Sequence, residues 1–351
     1  MSGFWKGKRV LLTGDSGFKG SWLGLMLHDL GAEITGISLP TPPGLDLNAA
    51  LGLNYDKIYF DIGRKDLFSD LDVFEQARPE IIIHMAAQPL VGASYQSPVG
   101  TFDTNVMGTV NILNAARKHG GVGAILVVTS DKCYDPEWDN GYQFDEDSKL
   151  GGHDPYSASK ACAEMVAESF RRSWDMPIAT ARSGNVIGGG DFTKGRLVPD
   201  MMDAFGRGEK VVLKRPNNIR PWQHVADCLR GYLLLAECLY RAPSAFGGPW
   251  NFGPPRHVVE TVEEMAMRAV ASWGGDAGYV VDPSAATFHE TKTLTLDPGK
   301  AYSGLRWQTA WGPTVAIQKT VAWHKAYLKG EDMLMVTRRQ IEENRKDALN
   351  A

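Results

Sequence analysis

The sequence predicts an α/β protein: a doubly wound parallel sheet with a smaller C-terminal α/β domain set over it. Three observations carry that prediction. Short, continuously apolar runs alternate with helix-period segments through the first half of the chain, as expected for parallel strands covered on both faces. A glycine-rich turn, Thr13-Gly14-Asp15-Ser16-Gly17-Phe18-Lys19-Gly20, follows the first of those runs directly. Past about residue 185 the strands thin out between helical segments.

Each element has its own justification. Arg9 to Thr13 reads as a buried strand, and Phe18 to Leu30 as a helix stopped by Gly31. Glu33 to Ser38 is a second strand leading into a proline-rich loop through Pro43. Lys57 to Phe60 is a third short strand, and Leu67 to Ala77 a helix. Ile81-Ile82-Ile83 lies in a fully apolar strand, Val99 to Lys118 makes a long helix, and Ala124 to Thr129 another apolar strand. Successive strand–helix–strand units connect by right-handed crossovers, which makes the sheet Rossmann-type. Asp154-Pro155 opens a helix at Tyr156. Further on, Arg196 to Phe205, Val225 to Leu239, Val262 to Ala271 and Val315 to Leu328 read as helices, separated by turns such as Gly188-Gly189-Gly190 and Gly247-Gly248-Pro249. The expected division is 1–185 for a dinucleotide-binding domain, 186–330 for a substrate-binding cap with elements that can cross back, and 331–351 for a charged, loosely ordered tail.

Composition narrows the function. A chain of 351 residues with 43% hydrophobic content supports one large domain or two modest ones. Its formal net charge of -4 is no nucleic-acid footprint, so an anionic ligand must be met by local donors. Cys133, Cys162, Cys228 and Cys238 form no C-x-x-C pair and have no clustered histidines, which argues against zinc and for a reducing compartment. No apolar run approaches ~18 residues and no signal-peptide core is visible, so a soluble, cytoplasmic protein is expected.

The chemistry sits in two widely separated places. Glycines 14, 17 and 20 are spaced G-x-x-G-x-x-G, close to the dinucleotide fingerprint G-x-G-x-x-G. Gly14, Ser16, Gly17, Phe18, Lys19 and Gly20 are the expected cofactor turn, and the helix that follows aims roughly half a positive charge at a pyrophosphate. The second strand ends at Ser38, where an NAD site often has Asp or Glu for the ribose hydroxyls. The next basic residue is Lys57, leaving nothing adjacent for a 2′-phosphate, so NAD is favoured over NADP. Asp61-Ile62 can border the adenine, although Asp61 can equally cap its own loop. Tyr156 and Lys160, four apart, share one helix face. A nearby ammonium and a positive nicotinamide ring would lower the tyrosine below its ordinary pKa of roughly 10 and make it a usable base. Ser130, at the carboxyl end of an apolar strand, can share the substrate proton.

Thr13 to Gly20, His84-Met85-Ala86-Ala87 and Thr104-Asn105-Val106-Met107-Gly108-Thr109 together resemble the extended short-chain dehydrogenase/reductase superfamily over essentially the whole chain. Ser130-Asp131-Lys132-Cys133-Tyr134 resembles, within it, the nucleotide-sugar 4,6-dehydratases, in the form acting on CDP-glucose. So do Gly17 to Leu23, Ala86 to Val91, Gly184 to Asp191 and Ile219 to Val225.

The resemblance implies Ser130, Asp131, Lys132, Tyr156 and Lys160 as catalytic residues. It also places Ala86, Ala87, Gln88 and Asn105 at bound NAD. In the implied reaction Tyr156 removes the C4 hydroxyl proton as hydride passes to NAD. The 4-ketone acidifies C5, a base takes the C5 hydrogen, an acid protonates the departing C6 hydroxyl, and hydride returns to C6. Asp131 would be the acid and Lys132, in its neutral form, the base. The product would be CDP-4-keto-6-deoxy-D-glucose, a deoxysugar precursor for surface polysaccharide such as O-antigen. A sugar nucleotide needs donors for its diphosphate, and Arg196, Arg220 and the Asn185 amide are candidates. His224, Gln88 and the pair His289-Glu290 are further candidates on the substrate side. Helices Val99–Lys118 and Tyr156–Trp174 would form the face of a homodimer or higher oligomer.

One departure stands out. The family usually has histidine where this chain has Asp15, and threonine where it has Ser16. A carboxylate in the phosphate turn repels pyrophosphate unless it points away or pairs, with Lys19 or Lys132 as partners within reach. The alternatives are dehydration of another nucleotide sugar, 4-epimerisation, or a non-enzymatic dinucleotide sensor on the same fold.

Overall fold

The computed structural model describes residues 3–41, 47–64, 73–137, 143–285 and 291–350. Strands β1 (Arg9–Thr13), β2 (Glu33–Ser38), β3 (Asp56–Tyr59), β4 (Ile81–His84), β5 (Ala124–Val128) and β6 (Ile178–Ser183) form a parallel sheet in the order β6-β5-β4-β1-β2-β3. The strand order reverses between β1 and β4, so the ligand crevice of a doubly wound sheet lies over their carboxyl ends. Thr13 is in register with Ile37 on one side and His84 on the other, which brings three strand ends to one level.

The apolar runs are explained by two cores, one on each face. Leu11, Ile82, Ile125 and Val127 point into one. Val10, Leu12, Ile81, Ile83 and Leu126 point into the other. Alternate residues are therefore both buried, and a strand with no wet face has no reason to alternate in polarity.

The second half supplies β7 (Val186–Ile187), β8 (Lys210–Leu213), β9 (Ile219–Arg220), β10 (Gln223–His224), β11 (Gly248–Phe252), β12 (Glu260–Thr261) and β13 (Gly278–Val281). β8 and β13 pair in parallel. Helices Leu197–Gly206, Val262–Trp273 and Pro313–Leu328 build a third core here around Met201, Phe205, Leu213, Met265 and Ile317. Two elements return to the first layer. β11 pairs with β6 as the seventh, edge strand of the main sheet. Helix Val225–Arg241 buries Leu229 and Leu233 in the same core as Leu12 and Leu126.

Three expectations need correction. Gly247-Gly248-Pro249 is not simply a turn: Gly248 and Pro249 begin β11, a place open to proline because an edge strand leaves one side unpaired. The segment Val99–Lys118 is not one regular α-helix. Helices Pro98–Phe102 and Gly108–His119 flank a π-helical turn, Asp103–Met107. The tail is not loose: Met333–Asn350 is a helix with Met333, Val336, Thr337, Gln340 and Asn344 buried. Of the helix expected at Leu67 to Ala77, Val73–Ala77 is helical, and 67–72 lie outside the described residues. Among the described residues, no helix is long and apolar enough to cross a membrane.

Candidate active site

A cavity of about 870 Å³ opens over the carboxyl ends of the sheet, beneath the second-half residues. One wall is the glycine turn, where Gly14, Ser16, Gly17, Phe18, Lys19 and Gly20 all line it. The turn has no room for side chains at its two ends. Gly14 has φ +75°, and a Cβ there would lie 2.8 Å from the Ala86 nitrogen; a Cβ on Gly20 would lie 2.0 Å from the Gly14 carbonyl oxygen. The backbone is thus free to approach a pyrophosphate closely, at the N-terminus of helix Phe18–Asp29. Ser38, Asp61, Ile62, Ala86 and Ala87 continue this wall. Asp61 lines the cavity, and its Oδ1 caps its own loop by accepting from the Gly63 N–H at 3.0 Å.

The level of the turn is fixed from below. Thr13 Oγ1 accepts from the N–H groups of Met85 (3.2 Å) and Ala86 (3.1 Å), and gives its own proton to His84 Nδ1 at 2.7 Å. Burial, with the Lys160 charge nearby, holds His84 at a pKa of about 3, so its ring is neutral and can accept there.

The opposite wall carries the catalytic candidates, and the structure brings all five together: Ser130, Asp131, Lys132, Tyr156 and Lys160 line the cavity. Ser130 ends the segment after β5 and caps a short 3₁₀ turn, Asp131–Cys133, accepting from the Lys132 N–H at 3.2 Å. Its hydroxyl donates to Asp131 Oδ1 at 2.9 Å. Among the described residues, Asp131 Oδ2 is buried without a hydrogen-bond partner. Burial raises the Asp131 pKa, against the opposing pull of Lys132, the Ser130 hydroxyl and Arg220. Tyr156 is pushed up to about 12 by burial, Ser130 opposing. Lys160 falls to about 8, first through burial and then through the charge of Lys19; its ammonium donates to the Val128 carbonyl at 3.3 Å. The expectation that the ammonium lowers the tyrosine is therefore not met in the protein alone. Burial dominates, and Lys160 is itself short of charge-stabilising contacts.

Supports behind this wall were not foreseen. Glu164 accepts from Thr129 Oγ1, from Thr180 Oγ1 at 2.7 Å and from Arg182 Nη2 at 2.8 Å, and both charged groups are buried. Arg182 also donates to the Tyr134 hydroxyl at 2.9 Å, which donates to Asn251 Oδ1 at 2.7 Å. Both ends of the Thr129–Tyr134 segment are anchored in this way. Glu164 lies four residues after Lys160 on the same helix face, a signal that was available in the sequence.

Arg196, Arg220 and Asn185 line the cavity on the cap side. Arg196 donates to Asp191 Oδ2 at 3.0 Å, and Arg220 Nη1 to the carbonyls of Ile219 (2.8 Å) and Lys292 (3.2 Å). Lys194, Lys214, Arg215 and Asn218 line the same end and were missed, although Lys214-Arg215 in a Pro-Asn-Asn turn is a visible basic cluster. Lys19 leans across the cavity, donating to the hydroxyls of Tyr232 (2.8 Å) and Ser183 (3.3 Å).

Three candidates lie elsewhere. Asn105 sits in the π-helical turn behind the cavity wall, with Oδ1 accepting from the Gln88 N–H (2.8 Å) and Nδ2 donating to the Gln88 carbonyl (3.1 Å) and Ser159 Oγ (2.8 Å). Its amide is spent on clamping the loop that carries Ala86 and Ala87, not on a ligand. Gln88 is folded into its own loop, bonded to the Leu90 N–H and carbonyl and to Thr101 Oγ1. His224 is fully buried between Trp22 and Trp311, and its Nδ1 accepts from the Ala226 N–H as a helix cap. Burial holds it at a pKa of about 3. His289-Glu290 lies outside the described residues. Asp15 points away from the cavity and pairs with neither Lys19 nor Lys132: its Oδ2 accepts from Tyr55 and Asn48.

A doubly wound sheet, a glycine turn cut to pyrophosphate, and a serine, tyrosine and lysine converging above the strand ends define an extended short-chain dehydrogenase/reductase. The profile of the NAD dependent epimerase/dehydratase family matches residues 10–248, and the chain belongs to that family. It is an NAD-dependent enzyme, and the bare backbone at Gly14 and Gly20 fits that cofactor. The chain is 44% identical, over 97% of its length and 97% of the relative's, to CDP-glucose 4,6-dehydratase of Salmonella typhimurium. It is 29% identical, over 90% and 92%, to a probable dTDP-glucose 4,6-dehydratase of Sinorhizobium fredii. Among solved structures, UDP-glucose 4-epimerase of Thermotoga maritima superposes with a TM-score of 0.80 at 23% identity, covering 91% of this chain and 99% of that one. The dTDP-glucose 4,6-dehydratase of Bacillus anthracis, solved with NAD, gives 0.76 at 22% identity over 93% and 99%. At these identities the structural likeness establishes the fold.

Proposed function

We propose that this enzyme removes water across C5 and C6 of a nucleotide-activated hexose, with CDP-D-glucose as the substrate and CDP-4-keto-6-deoxy-D-glucose as the product. The observation that carries the reading is the Ser130-Asp131-Lys132 turn on the same cavity wall as Tyr156 and Lys160. An epimerase has no work for a second acid–base pair beside Ser130. Bound NAD supplies a reversible acceptor for the C4 hydride. Tyr156, which lines the same cavity as Ser130, receives the C4 hydroxyl proton. Asp131, raised by burial and with one oxygen unpartnered, is suited to hold a proton and deliver it to the departing C6 hydroxyl. Lys132, beside it, takes the C5 proton. Arg196, Arg220 and Asn185 face the diphosphate. The near full-length likeness to the Salmonella enzyme favours the cytidine nucleotide. A nucleotide-sugar substrate and four unpaired cysteines fit the cytoplasm.

The test is incubation of the purified protein with a panel of nucleotide hexoses. CDP-glucose should lose one water by mass and, in heavy water, take up deuterium at C5. Tyr156→Phe should still bind NAD and turn over nothing. Interconversion at C4 without loss of water would establish epimerisation instead. Full activity in Tyr156→Phe would remove the tyrosine from the mechanism.

The enzyme acts as a homodimer in this reading. Tyr95, Val99, Phe102, Met165 and Trp174 are exposed apolar side chains around helices Pro98–Phe102 and Pro155–Trp174, and a second copy would cover them. Val99→Glu with Met165→Glu should convert a dimer into a monomer in light scattering. A wild-type monomer would refute this part.

A further inference from the structure

A single guanidinium behind the cavity wall is tied to both ends of the catalytic turn. Arg182 lies in β6, 3% exposed, and its two terminal nitrogens serve different partners. Nη2 donates to Glu164 Oε2 at 2.8 Å; Nη1 donates to the Tyr134 hydroxyl at 2.9 Å and to the Glu146 carbonyl at 3.1 Å. Glu164 accepts in turn from the hydroxyl of Thr129, the residue before Ser130. Tyr134 closes the other end of the turn, and its hydroxyl donates to Asn251 Oδ1 of β11 at 2.7 Å. Thr129, Ser130, Asp131 and Lys132 line the cavity, whereas Arg182, Glu164 and Tyr134 stand behind it.

Glu164 belongs also to the other half of the wall. Tyr156, Lys160 and Glu164 follow one another at four-residue steps along helix Pro155–Trp174, all buried, so consecutive members are neighbours on the helix. The carboxylate therefore joins the helix of Tyr156 and Lys160 to the start of the turn, and the guanidinium carries that connection on to its far end. A buried ion pair is a weak source of stability, because desolvation offsets the attraction and apolar side chains of similar volume often serve as well. What this one supplies is direction. A planar fork fixes the angle and the separation of a carboxylate and a phenol, which the point charge of a lysine does not.

We propose that Arg182 is a positioning residue for the elimination, its fork holding Asp131 and Lys132 in register with Tyr156 and Lys160. The inference rests on the dehydratase reading. In that reaction the C4 hydroxyl proton goes to Tyr156 and the C4 hydride to NAD. Lys132 then takes the C5 proton, Asp131 gives its proton to the C6 hydroxyl, water leaves, and the hydride returns to C6. Without the fork, Ser130 is still held through Thr129 and Glu164, so oxidation at C4 proceeds. Asp131 and Lys132, lying between the held end and the released one, lose their aim. A misplacement of about 1 Å can slow a step by on the order of a hundredfold.

The test uses Arg182→Lys, which keeps a cation for Glu164 but does not reach Tyr134 at the same time. Full-length enzyme saturated with NAD is mixed rapidly with CDP-glucose. Absorbance of the reduced nicotinamide follows oxidation, and the mass of quenched samples follows loss of water. The variant should oxidise within about twofold of the wild-type rate and lose water at least about tenfold more slowly, so that reduced cofactor builds up. Its calorimetric affinity for NAD should be unchanged. Oxidation and water loss slowed alike would show a general loosening and overturn the assignment, as would water loss at the wild-type rate. A wild type that releases no water from CDP-glucose or any other nucleotide hexose would overturn the dehydratase reading and this assignment with it. A wild type that does, beside a variant that does so equally fast, overturns this assignment alone. Should Arg182→Lys fail to fold, Tyr134→Phe decides, since it frees the far end and leaves the Glu164–Arg182 pair in place: accumulation of reduced cofactor sustains the proposal, and its absence rejects it.

Discussion

Lys160 carries an amine into a place with little to hold a charge. Its one hydrogen bond of note is to the Val128 carbonyl at 3.3 Å, and Lys19 repels it. Its pKa is about 8 in the folded protein against 10.5 for an ordinary lysine. Between those values the unfolded chain binds more protons than the folded one, so this group makes stability rise with pH across that window. Below pH 8 both states are charged and the full penalty of the buried ammonium is felt. Tyr156 works in the opposite sense: held at about 12 against 10.0, it keeps a proton that the unfolded chain releases, so its contribution falls as pH rises between those values. Lys160→Met should isolate the first effect. Without added NAD, the unfolding free energy of the wild type minus that of the variant should increase from pH 8 to pH 10, by at most about 1.4 kcal/mol per pH unit. Urea titrations at several pH values measure it, and a difference that stays flat would show that Lys160 keeps an ordinary affinity for its proton.

At the scale of elements, what the sequence made legible divides by physical cause. β1, β4 and β5 were readable because burial on both faces leaves unbroken apolar runs, and the glycine turn because Gly14 and Gly20 have no substitute at their contacts. The five catalytic candidates were readable because chemistry restricts their types, and the fold does bring them to one wall. Motif membership misled for Asn105, Gln88 and His224. Their hydrogen bonds serve the loop at Gln88 and the start of helix Val225–Arg241, and a sequence does not say whether a polar group faces a ligand or its own backbone. β11 was hidden by a proline and two glycines, tolerated because it is an edge strand pairing on one side only. The π-helical turn was equally hidden, since one extra residue in a helix leaves no mark in composition.

At the scale of the molecule, the tail ties the cap to the cofactor turn. It was read as loose because its seam is largely polar: Met333, Val336, Thr337, Gln340 and Asn344 recur at helical spacing, but three of the five are not hydrophobic. Their polar atoms have work to do. Thr337 Oγ1 accepts from Trp323 Nε1 at 2.9 Å, Gln340 donates to the Lys319 carbonyl at 2.8 Å, and Arg338 binds both oxygens of Asp29 at the end of the first helix. Trp323 in turn fills the space over Gly189, where a Cβ would lie 1.9 Å from its ring, while the Gly189 carbonyl accepts from Trp22 Nε1 in the helix that opens at the glycine turn. Ending the chain at Gly330 removes the burial of Met333 and Val336, together worth roughly 3–6 kcal/mol, and leaves Trp323 Nε1 unpartnered, worth about 1–3 kcal/mol more. The truncated protein should therefore melt several degrees lower, on the order of 2 °C or more per kcal/mol lost. It should also bind NAD more weakly, because the Gly188–Gly190 loop loses its backing beside Phe18. Calorimetric melting and NAD titration of the two forms decide it. An unchanged melting temperature would mean that the tail rests on the surface without supporting it. A lowered one with unchanged NAD affinity would confine its role to the cap.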